Sequence, residues 1–67
     1  MCRSIKTLRT SEHTVTDDEV TAAALQFVRK ISGYRVPSRA NAEVFDHAVE
    51  RIATAAQELL DGLVVRA

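Results

Sequence analysis

One cysteine, one proline, two glycines, two phenylalanines, one tyrosine and no tryptophan leave this 67-residue chain short of the residues that build specialised sites. A single cysteine, Cys2, forms no internal disulfide, and no Cys/His cluster has the spacing of a structural zinc site. No apolar run approaches the roughly 18 residues of a membrane span, and no charged-then-apolar leader resembles a signal peptide. Charge of one sign is missing too: nine basic residues balance nine acidic ones. That balance argues against a dedicated nucleic-acid binder, which carries a basic excess. There is no glycine-rich phosphate loop, and no serine or cysteine has a recognisable base at motif spacing, so no enzyme is expected. These absences describe a cytoplasmic protein that keeps clear of membranes.

Sixty-seven residues make one domain. A chain this short buries a modest fraction of its surface, and self-association is a common remedy for the marginal core that results.

What is present is helical periodicity. Apolar residues recur at Val44, Ala48, Ile52, Ala55, Leu59 and Leu63, with a second row at Phe45, Val49, Ala56 and Leu60. The remaining stripe, from His47 and Glu50 to Glu58 and Asp61, is polar throughout. The spacing predicts a long helix over about 38–65, punctuated at its start by Pro37 and Ser38, with Asn41 as a rival cap. An earlier helix is announced by Thr16-Asp17-Asp18-Glu19, the reciprocal pattern of a capping box with acids where the helix dipole is positive. It runs over about 17–32 with Val20, Ala24, Phe27, Val28 and Ile31 on one face and Leu25 beside them. Arg29 and Lys30 complement its last turn, and Gly33 is placed to terminate it.

The fold class is therefore all-α: residues 1–15 form an arm and linker, and residues 16–67 form a helical hairpin. Because the long helix carries two apolar rows and the short one carries a single stripe, the hairpin is expected to be completed by dimerisation into a four-helix bundle. The expected oligomer interface is Val44, Phe45, Ala48, Val49, Ile52, Ala56, Leu59, Leu60 and Leu63. The other reading is that the arm covers the excess, in its own subunit or in a neighbour.

The opening MCRSIKTL, the block AAALQFVRKISGY, the turn VPSRAN and the run FDHAVERIATAAQELLD resemble a family of short bacterial proteins of unknown function. Its members open Met-Cys-Arg-Asn-Ile-(Lys/Arg)-Thr-Leu and carry a Pro-Ser-(Lys/Arg)-Ala-Asn turn. The resemblance spans nearly the whole chain and implies a fold but no activity. This chain departs from it where members carry Phe-Asn-Phe-Glu-Pro-Pro-Ala-Thr before the first helix and it has RTSEHTVT, and in lacking their Lys/Arg/Ala-rich tail.

Two places can carry chemistry. Arg29, Lys30, Tyr34, Arg35, Ser38 and Arg39 surround the hairpin turn, where guanidinium groups and free helical N–H groups can hold a phosphate or carboxylate. The plainer account is charge complementation of helix ends and solubility. Cys2, with Arg3 beside it, is a candidate thiol for redox sensing or for a soft metal, the one cofactor the sequence suggests. Set against that, Cys2 continues the apolar edge of Ile5 and Leu8 as a small buried hydrophobe. His13 and His47 lack an i+4 partner and read as surface residues. The leading functional expectation is a small interaction module binding a protein or anionic partner through the basic turn or the arm. The alternatives are a Cys2 thiol or metal site and, third, a weak nucleic-acid binder.

Overall fold

A computed structural model describes residues 6–10 and 12–64. Helix α1 spans Asp17–Ser32, a 3-10 turn covers Arg39–Asn41, and helix α2 spans Ala42–Gly62. No strand occurs among the described residues. The chain is an all-helical hairpin.

α1 starts where its capping box places it. The Thr16 hydroxyl accepts from the Glu19 N–H at 3.2 Å, and the Glu19 carboxylate accepts from the Thr16 N–H at 2.9 Å. Two of the orphan donors at the helix start are thereby satisfied. The other end closes on Gly33, whose φ of 79° is left-handed and whose N–H donates to the Arg29 carbonyl at 2.9 Å. That conformation suits glycine because a Cβ would crowd the following carbonyl.

α2 begins and ends inside the expected range of 38–65. Ser38 introduces the 3-10 turn, and the α-helix proper starts at Ala42 with Asn41 in the cap position. Neither residue makes a side-chain cap bond. The Asn41 amide is instead turned back, donating to Ser38 Oγ at 3.1 Å. At the far end Gly62 closes the helix and Leu63 is extended, at φ −69° and ψ 137°. α2 is thus 21 residues against 16 for α1, about 31 Å against 24 Å at 1.5 Å per residue.

The core is small. Val20, Ala24 and Val28, an i, i+4, i+8 row on α1, pack against α2, whose one buried side chain is Phe45. No described side chain is fully buried, and no polar side chain is. Phe27 and Ile31, expected on the buried face of α1, are 50% and 66% exposed. Phe27 lies about 100° round the helix from Val28, and Ile31 falls in the last turn, where α2 is only beginning.

Candidate functional site

The hairpin presents two edges, and they differ. On one edge an open groove of about 450 Å³ runs between the helices, with Leu25, Val49 and Ala53 among its lining and Asp17, Asp46 and Glu50 around it. On the other edge stand Phe27, Val44 and Leu59. Each of these is two positions from a groove residue (Leu25, Asp46 and Gln57), which is about 160° round the helix. Val44 is 67% and Leu59 62% exposed. With Ile31 one turn beyond Phe27, they form an apolar face along the length of the hairpin. Ala48 and Ile52, half-buried, lie between them.

The interface residues expected from the sequence divide accordingly. Phe45 is sheltered within one chain, and Val49 lines the groove. Ala56 and Leu60 are half-buried, Leu60 beside the linker, where Arg9, His13 and Val15 line a second hollow of about 530 Å³. Val44, Leu59 and Leu63 remain exposed.

The hairpin turn is ordered by its own side chains. Arg29 Nε donates to the Arg35 carbonyl at 2.9 Å, tying the end of α1 to the loop. The Tyr34 N–H donates to Ser32 Oγ at 3.1 Å, and Asn41 Nδ2 reaches the Tyr34 hydroxyl at 3.5 Å. Arg29 is half-buried in this role, whereas Lys30, Arg35 and Arg39 are exposed. Among the described residues no carboxylate lies within 4.0 Å of those three cations. The structure therefore brings the basic residues to one end of the hairpin and gives one of them the task of shaping the turn. Cys2 and Arg3 lie outside the described residues. Among those described, no three His, Cys, Asp or Glu side chains converge as metal ligands.

One contact has no counterpart in the sequence pattern. His13 Nε2 sits 2.9 Å from Glu19 Oε1 and 3.1 Å from Oε2. The Thr16 N–H, and next the His13 contact, hold the Glu19 carboxyl below its ordinary value of 4.5, because hydrogen bonds to the charged form favour it. His47, by contrast, is a surface residue on the polar stripe.

A family profile matches residues 1–67, the entire sequence. The chain belongs to the Uncharacterized conserved protein family DUF2277. No curated protein and no solved structure matches it. The DUF2277 assignment agrees with the resemblance carried by the opening residues and by the turn at 36–41, and it brings no activity. What the chain does has to be argued from its surfaces.

Proposed function

We propose that this chain is a small helical interaction module that works as a homodimer, two hairpins packing through the Phe27, Ile31, Val44 and Leu59 face into a four-helix bundle. The observation that supports it is the poverty of the single-chain core, four buried side chains among two helices. Within that assembly Ala48 and Ile52 complete the seam, and Phe45 stays in the intrachain core.

The partner side of the module is the basic end, where Lys30, Arg35 and Arg39 face solvent and Arg29, Tyr34 and Ser38 set the loop that presents them. A protein surface or ligand bearing carboxylates or phosphates fits that charge. The setting is the cytoplasm, where an unpaired cysteine stays reduced.

Two variant proteins, one charging the apolar face and one reversing the charge of the basic end, test the two halves separately. Val44→Glu with Leu59→Glu is expected to halve the mass in light scattering. Lys30→Glu with Arg35→Glu and Arg39→Glu is expected to leave that mass alone while abolishing salt-sensitive binding to polyglutamate. A wild-type protein already at monomer mass removes the first half, and unchanged polyglutamate binding removes the second.

A further inference from the structure

The interhelical groove and the hairpin turn are opposite in charge and matched in pattern. The groove has a half-buried apolar floor of Leu25, Val49 and Ala53, and its described charged residues are the exposed acids Asp17, Asp46 and Glu50. The turn carries the converse. Val36, 72% exposed, stands between Arg35 and Arg39 in the sequence, with Lys30 in the last turn of α1 and no acid from Arg29 to Ala42. One surface is a hollow with acids around an apolar floor, and the other is a chain reversal with cations around an apolar side chain.

These charges are not spent on each other within the chain. Among the described residues the only ion pair is His13 with Glu19, at 2.9 Å. The two surfaces also lie at different heights along the hairpin. On α1 the groove runs from Asp17 to Leu25, and Gly33 follows Leu25 by eight residues, a further rise of about 12 Å. The turn is therefore carried past its own groove and stands free for another.

That turn is set before it meets anything. The Gly33 N–H donates to the Arg29 carbonyl, Arg29 Nε to the Arg35 carbonyl, and the Tyr34 N–H to Ser32 Oγ. A loop already ordered loses little freedom on docking.

We propose that the groove receives the hairpin turn of a second copy of this chain, Val36 on the floor of Leu25, Val49 and Ala53, with Lys30, Arg35 and Arg39 against Asp17, Asp46 and Glu50. This rests on the reading of the basic end as the partner-binding side and names the partner; it does not use the apolar seam. The contact is heterologous, so it links molecules in series. Three cations and one valine belong with small interfaces, under about 1,200 Å². The contact accordingly fills at millimolar concentration and low salt, and leaves the mass at micromolar concentration unchanged.

Two full-length variants with complementary defects test it. Asp46→Lys with Glu50→Lys spoils the groove and keeps the turn; Lys30→Glu with Arg35→Glu and Arg39→Glu spoils the turn and keeps the groove. With the turn variant ¹⁵N-labelled at low salt, the unlabelled groove variant is expected to shift the Leu25, Val49 and Ala53 amide signals, and further turn variant is not. Salt of about 0.5 M screens exposed charges and is expected to reverse the shifts. In the wild-type chain alone, the same signals are expected to move as concentration rises from micromolar to millimolar, and Val36→Ser, at a position the fold leaves exposed, is expected to weaken that movement several-fold. Wild-type groove signals independent of concentration overturn the proposal, as do shifts that Val36→Ser or salt leaves in place. Shifts produced by an amphipathic lysine-leucine peptide but not by the groove variant give the groove to a basic segment of another protein, and overturn it too. A groove variant that binds polyglutamate yet leaves the groove signals unmoved overturns this inference alone; one that does neither overturns the basic-end reading with it.

Discussion

At the scale of single residues the best-defined device is the cap of α1. Thr16 and Glu19 satisfy each other's N–H groups, and removing one hydroxyl leaves an orphan donor. Thr16→Ala is expected to lower stability by about 1 kcal/mol, read as a lower urea midpoint at unchanged slope. The same cap sets a direction with pH. Glu19 is held below 4.5 by the Thr16 N–H and by His13, so its contribution is complete above that value and is lost as pH falls through its lowered folded value. Glu19→Gln, which keeps the capping geometry, is expected to flatten this acid limb in a urea series taken downward from pH 5; an unaltered limb removes Glu19 from the account. The cap was legible because Thr-x-x-Glu is a local pattern. The His13 contact was not, because it depends on the reversal at Thr10 and His13, and residues 10–16 carry no period to announce it.

At the scale of elements, α1 and its termination follow from short-range chemistry, whereas the start of α2 does not. Gly33 is read correctly as a left-handed terminator, since Arg29 and Lys30 precede it and Pro37 follows. A Cβ there meets nothing within 4 Å, so Gly33→Ala isolates backbone strain, and about 1 to 2 kcal/mol of destabilisation is expected in chemical denaturation. Ser38 carries the side chain of a good cap but opens a 3-10 turn. Asn41 holds the cap position while its amide binds Ser38 Oγ. Two cap-forming side chains three residues apart are offered for one helix start, and they hydrogen-bond to each other instead of capping it. The apolar face of α1 shows a similar limit. Periodicity groups Phe27 and Ile31 with Val20, Ala24 and Val28, but the row that meets α2 is set by how the helices cross, which lies outside a single helix's sequence.

At the scale of the whole molecule the hairpin is one layer of two helices, and a domain ordinarily needs a second layer to cover its apolar stripes. Phe45 is the only aromatic side chain in the core. Phe45→Ala is expected to cost about 3 kcal/mol or more, enough to broaden or abolish cooperative unfolding in so small a chain. The excess of apolar surface was legible in the two rows of α2. Its division was not. One row with Phe45 serves the intrachain core, and Val44 and Leu59 stand on the edge away from the acid-rimmed groove. α2 is also shorter than its pattern suggested, ending at Gly62, so the exposed face is shared with Phe27 and Ile31 of α1.

The claim that ties these scales together is that one hairpin is an incomplete fold. Sedimentation equilibrium of the full-length chain at micromolar concentration tests it most directly. The account predicts a folded species of twice the chain mass that loses helical signal as dilution drives it to monomer. A species of single-chain mass that keeps its full helical signal and unfolds cooperatively, independent of concentration, contradicts it.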